Sequence, residues 1–166
     1  MRPKVILYAA ISLDGRTTGF PVDLGIFYSL AQQWNEDATL VGSDTLLGAA
    51  EDIPEESSDE GEPPSTSVTE GPPMNAPPTE GATDSRPLLI VPDSRGRIRD
   101  WRHWKKQPYW RDPVSLCTKN TPPKHLEYLH REGVTTLIAG KKSVDFAQAF
   151  EELSSRFGVA VVRVDS

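Results

Sequence analysis

The sequence predicts an α/β domain built on a mostly parallel, wound sheet flanked by helices. Two observations carry that expectation. Short runs of branched apolar residues alternate with stretches whose apolar side chains recur at helical spacing. Polar motifs that contain glycine follow the apolar runs, at the strand ends where open α/β sheets bind their ligands. The chain has 166 residues, enough for one domain with a real core.

The elements follow in order. Residues 4–10 read as a strand. Residues 24–35 read as a helix, with Phe27, Leu30, Ala31 and Trp34 at helical spacing and Asp23 as N-cap. Residues 39–42 read as a short strand, and 43–47 as a short helix capped by Ser43. Strands are expected at 88–91, 114–117, 134–139 and 159–164. A helix over 123–131 starts on proline and stops before Gly133. Residues 146–157 form an amphipathic helix through Phe146, Ala149, Phe150, Leu153 and Phe157. Asp145 and Gln148 suggest a capping box there, and Gly158 a stop.

One segment breaks the alternation. Residues 49–85 hold ten Asp or Glu, no Lys or Arg, and seven of the 15 prolines. Such a composition cannot bury enough surface to offset its ordering entropy, so a disordered acidic insertion is expected within a single 1–166 domain. The net charge of −6 is therefore uneven: outside the insertion 18 basic residues face 14 acidic ones. A mildly basic domain tolerates an anionic ligand. No run approaches the length of a membrane span, and the amino terminus has no secretion-signal pattern. The single Cys117 excludes an internal disulfide. A cytoplasmic location is the default expectation. His103, His125 and His130 show no zinc spacing, so no metal site is expected.

Four motifs could carry chemistry. Ser12-Leu13-Asp14-Gly15 follows the first strand; Asp14 could orient a sugar hydroxyl, or assist proton transfer, or simply satisfy its own turn. Gly42-Ser43-Asp44-Thr45 joins a strand to a helix start. It is either a pyrophosphate cradle, through free N–H groups and the Ser43 and Thr45 hydroxyls, or ordinary capping by Ser43. Asp93-Ser94-Arg95-Gly96-Arg97 follows the third strand. Ser94 with Arg95 or Arg97 could hold a phosphate monoester such as the 2′-phosphate of NADPH, or the arginines could simply face water. Residues 101–111 interleave three tryptophans with cations. That pattern suits either a single-strand nucleic-acid surface or a connector anchored on the core, and the connector is favoured.

Three of these features recur in one order: Ala-Ile-Ser-Leu-Asp-Gly after the first strand, Val-Gly-Ser-Asp-Thr-Leu-Leu after a helix, and Val-Pro-Asp-Ser-Arg-Gly-Arg-Ile after the next long strand. Over residues 3–48 and 86–166 the chain resembles the reductase domain of riboflavin biosynthesis, in the dihydrofolate-reductase-like superfamily. The resemblance implies that fold and an NADPH-dependent reductase. The implied substrate is a ribosylamino-pyrimidine phosphate, or a pteridine-like compound, reduced by hydride transfer to the sugar C1. It places Ala10 near the cofactor and Gly42, Ser43 and Thr45 in contact with it. Asp93, Ser94 and Arg95 fall at its adenosine end, and Asp14 on the substrate side. Two departures bear on the substrate: Gln33 stands where relatives carry an arginine, and Ala49-Ala50 where they carry Asp-Asp-Pro. The family continues past the last strand with a Glu-Gly-Gly-type phosphate loop. Ser166 falls about where that glutamate stands, so the resemblance implies a domain truncated at its carboxyl end. It also implies a tendency to form homodimers. The rival readings are a nucleic-acid-binding protein and a catalytically inactive interaction protein working through its acidic insertion.

Overall fold

The computed structural model describes residues 2–51 and 84–165, with the side chains of 49–51 left aside. Six strands form one sheet: β1 (Lys4–Tyr8), β2 (Ala38–Val41), β3 (Leu88–Pro92), β4 (Pro113–Cys117), β5 (Thr135–Ile138) and β6 (Val161–Asp165). Among the described residues five α-helices join them: α1 (Leu24–Ala31), α2 (Ser43–Glu51), α3 (Trp101–Lys106), α4 (Pro123–Arg131) and α5 (Phe146–Phe157). The strand order is β1-β6-β2-β3-β4-β5, and every pairing is parallel. The α/β architecture expected from the alternation is therefore present, with all its carboxyl strand ends on one rim.

Local chemistry explains the boundaries. Asp23 caps α1 by accepting from the Ile26 N–H at 2.9 Å. The helix then tightens into a 3₁₀ turn, Gln32–Trp34, and ends at Asn35 in the left-handed region (φ 45°). Asp145 caps α5 through the Gln148 N–H, and Gly158 closes it at φ 68°. The expected capping box is only half made. The Gln148 side chain reaches forward to Glu152 and accepts from the Gly140 N–H instead of returning to Asp145.

Two expectations need correction. The helix after β2 runs to Glu51 rather than stopping at 47, so 49–51 belong to it and not to an insertion. Asp84, placed in the same insertion, forms an ion pair with Arg86 at 2.7 Å. The disordered stretch expected over 49–85 otherwise falls on 52–83, outside the described residues. The second correction is α3, which the sequence reading left as a connector. Asp100 caps this short helix at the His103 N–H. Trp101 and Trp104, one helical turn apart, drive their indoles into the core.

The core has two faces. Under α5, Leu40, Ile90, Leu116, Leu137 and Val162 meet Ala149 and Leu153. On the opposite face Leu89, Val91 and Cys117 meet Leu46 of α2, Trp101 and Trp104 of α3, and Leu129 of α4. In β6 the buried Arg163 is held by Glu36 at 2.8 Å and Asp165 at 3.1 Å. That pairing is what lets a cation sit within a parallel strand.

Candidate functional site

Because every strand is parallel, the loops after β2, β3, β4 and β5 gather on one rim. The loop after β3 is the most tightly built. The Asp93 N–H donates to Leu116 O at 2.9 Å. The Asp93 carboxylate is 1% exposed and accepts from the N–H groups of Arg97 (2.7 Å) and Ile98 (3.1 Å). It folds the loop back on itself and has no free face for a ligand. The resemblance placed Asp93 at the cofactor; the structure gives it an internal, loop-closing position.

Ser94 and Arg95 are left facing outward. The loop after β4 supports them from below: Thr121 Oγ1 donates to Ser94 O at 2.9 Å and accepts from the Thr118 N–H at 2.9 Å. Backbone bonds then tie this loop to the one after β5, Lys119 N–H to Gly140 O and Asn120 N–H to Lys141 O, each at 3.2 Å. Gly140 makes the sharp turn that this requires. Its φ is +84°, and a Cβ there would lie 2.2 Å from Ser143 O.

Between the three loops lies a cleft of about 580 Å³. Two cations, Arg95 and Lys142, stand on its wall with the polar side chains of Ser94, Asn120 and Ser143, and Phe146 offers an aromatic surface. Two positive charges and several hydroxyls around an open cleft suit a phosphate monoester joined to a planar base. Lys142, Ser143 and Asn120 were not picked out from the sequence, and Phe146 was read only as part of the apolar stripe of its helix. The signal was there, in a Gly-Lys-Lys-Ser string directly after the strand over 134–139.

The sequence left open which arginine joins Ser94. Arg97 turns away to the start of α2, where its Nη2 donates to Ser43 Oγ and its Nη1 pairs with Asp44, both at 2.6 Å. This contact holds the Asp44 carboxyl below its usual range. Arg97 thus bridges the loop after β3 to the β2–α2 turn, and Ser43 serves as its acceptor. Among the described residues a Cβ at Gly42 would meet only Thr45 Oγ1, at 3.6 Å, an ordinary van der Waals contact. Nothing else among them comes within 4 Å of that position.

Asp14 lies in an exposed turn past β1. Arg16 grips its carboxylate at 2.6 Å, Ser12 donates to it, and Gly15 takes φ +82°. Arg16 first, then Ser12, hold this carboxyl below its usual range. It therefore stays charged near neutrality and can accept from a hydroxyl, but it has no proton to give. Ala10 lies just beyond β1, half-buried.

Two of the three indoles of the 101–111 stretch are withdrawn into the core, as the connector reading expects, while Tyr109 stays exposed. Trp101 is 0% exposed and Trp104 8%. Arg102 pairs with Glu132, and Lys105 donates to Gly133 O. Cys117 is buried, and burial pushes its thiol pKa up. Among the described residues no cluster of three His, Cys, Asp or Glu could hold a metal ion, and no helix is long and apolar enough to cross a membrane.

No protein-family model and no curated protein matches the sequence. Solved structures do match it, and they define the fold. Riboflavin biosynthesis reductase Rib7 of Saccharomyces cerevisiae superposes with a TM-score of 0.57 at 21% identity, over 99% of this chain and 62% of Rib7. RibD of Acinetobacter baumannii gives 0.62 at 18% identity, over 98% of this chain and 39% of its own. A pyrimidine reductase-like protein of Corynebacterium diphtheriae gives 0.60 at 18% identity, over 99% and 65%. The fold is thus one that riboflavin biosynthesis reductases share. The chain spans between 39% and 65% of the length of these three structures.

Proposed function

We propose that this chain is a reductase of the riboflavin-biosynthesis type that takes NADPH as hydride donor. The observation that carries the reading is the cleft on the carboxyl rim, where Arg95 and Lys142 flank Ser94 and Ser143. It supports binding of the adenosine 2′-phosphate, the group that distinguishes NADPH from NADH. Gly42, where only Thr45 among the described residues lies within 4 Å of a Cβ position, and the N–H groups at the start of α2 suit the pyrophosphate. The nicotinamide would supply the hydride. The protein's part is to orient and hold. Arg97 fixes the two cofactor-side loops relative to each other, and Asp14, charged, is suited to accept from a sugar hydroxyl of a ribosylamino-pyrimidine substrate.

The test is a calorimetric titration with NADPH, with NADH as control. Saturable binding that prefers NADPH is expected. Replacing Ser94→Ala together with Arg95→Ala should weaken NADPH more than NADH. Equal losses would remove the 2′-phosphate assignment, and absence of binding would remove the reductase reading.

A further inference from the structure

One titratable side chain beneath the cleft is used by nothing above. His125, on α4, is 2% exposed, and neither ring nitrogen has a well-formed hydrogen bond. An enclosed imidazole without such bonds is costly, so its position calls for a reason. The Nε2 stands 3.1 Å from Asp93 Oδ2, off the axis of a good hydrogen bond. The ring also presses on Gly96 so closely that a Cβ there would come within 2.6 Å of His125 Cγ. Asp93 and Gly96 bracket Ser94 and Arg95, the two residues that the loop offers to the cleft.

The charged and titratable groups near the ring are few. Asp93 and Arg99 approach from the segment after β3, and Tyr128 from its own helix, ring centroids 5.8 Å apart. Cys117 on β4 feels the Asp93 charge as well. Burial holds the imidazole below its ordinary pKa against the pull of Asp93, so the ring is uncharged at neutral pH.

We propose that His125 is a positioning residue for the anion cleft: its ring, set between the Asp93 carboxylate and the Gly96 backbone, fixes the 93–98 loop so that Ser94 and Arg95 face a phosphate monoester. The inference rests on the reading of the cleft as an anion site. It differs from plain core filling in what it requires of the side chain. A filler needs only volume, which phenylalanine supplies. A positioning residue needs a polar N–H directed at the Asp93 carboxylate, even in the bent 3.1 Å contact that Nε2 makes; glutamine supplies one and phenylalanine does not.

The probe is 2′,5′-ADP, with 5′-ADP as the comparison, titrated against the full chain and the variants His125→Phe and His125→Gln. Each variant is first checked for a cooperative thermal transition. The expected result is binding by the parent chain that favours 2′,5′-ADP. His125→Phe should lose about tenfold in affinity and most of that preference, and His125→Gln should recover it. Parent-like affinity and preference in a folded His125→Phe would overturn the role of His125 and leave the cleft reading standing. No 2′,5′-ADP binding by the parent chain would overturn the cleft reading and this inference with it. Should His125→Phe fail to fold, ¹⁵N spectra of the parent imidazole decide. A ring that carries a proton on Nε2 supports the inference, and a neutral ring protonated on Nδ1 alone overturns it.

Discussion

The two halves of the sheet are built differently. Along β3 and β4 almost every strand residue is buried, helices cover both faces, and the rim loops are joined by backbone and threonine hydrogen bonds; only at the outer strand β5 does burial thin, to Leu137. Around β1 the reverse holds. Leu7 is 82% exposed and Val5 42%, although both lie on a parallel strand. In α1 only Ala31 is buried, while Leu24, Ile26 and Leu30 face outward. An exposed ion pair, Arg2–Glu151 at 2.9 Å, ties the start of this half to α5. Parallel sheets are normally covered on both faces. The contrast teaches that the cleft stands on the half of the sheet whose two faces are packed under helices. The β1–α1 half has an apolar surface that nothing among the described residues covers.

Substitutions can break or sharpen this division. The largest effect should come from Trp101→Ala, which empties a fully buried indole and should cost about 4 kcal/mol in urea unfolding. Its counterpart, Leu7→Ala on β1, should cost under about 0.5 kcal/mol. Similar losses at the two positions would erase the distinction.

Glycine substitutions come next. Gly96 and Gly15 both have positive φ, so alanine at either pays about 1 kcal/mol for the left-handed backbone. At Gly15 the space is open and nothing more is expected. At Gly96 the new Cβ collides with His125, raising the cost to about 3 kcal/mol, and 2′,5′-ADP binding should fall with it. Chemical denaturation of the pair, measured side by side, separates strain from collision.

A smaller comparison uses the helix caps. Asp145→Ala should remove about 1 kcal/mol of global stability, because α5 is packed into the core. Asp23→Ala removes the same kind of bond from α1 but should act locally. Amide hydrogen exchange would speed up over 24–31 with little change in the unfolding midpoint.

The smallest expected effect is on pH dependence. The folded pKa of His125 lies below its ordinary value of 6.5. Between that folded value and 6.5 the unfolded chain binds more protons than the folded one. The stability contributed by the neutral ring is therefore present above 6.5 and lost as pH falls toward the folded pKa. His125→Gln should flatten this part of the stability profile. The Asp84 carboxyl, drawn down to about 2 by Arg86, should act only at the acid extreme, losing its contribution below the ordinary carboxylate range.

The same division governs what could be read from the sequence. The strands over 88–91 and 114–117 and the helices over 123–131 and 146–157 were legible because apolar period, caps and flanking glycines agree there. Helix α3 was not, because six residues rich in cations leave too little period. Only the Trp101/Trp104 spacing and the Asp100 cap pointed to it. At the site, Ser94 and Arg95 were legible as a polar motif ending a strand. The buried orientation of Asp93 was not, since burial of a carboxylate depends on partners brought in by tertiary structure. The Gly-Lys-Lys-Ser string carried a signal for Lys142, but that it meets Phe146 at the cleft depends on the Gly140 turn, which is set by tertiary contacts.

The place of β6 in the sheet has a kinetic consequence. It is the last of the six strands in sequence, yet it lies between β1 and β2, pairing Val161 with Lys4 and Val162 with Ala38. Until it arrives, β1 and β2 must wait roughly 10 Å apart, two strand spacings, with a row of unsatisfied amides and carbonyls on each. Assembly cannot proceed in the order of synthesis, and its closing step joins residues more than a hundred positions apart. Such long-range parallel pairing is slow. During that interval the open slot is a template for any other extended chain, so refolding yield should depend steeply on protein concentration.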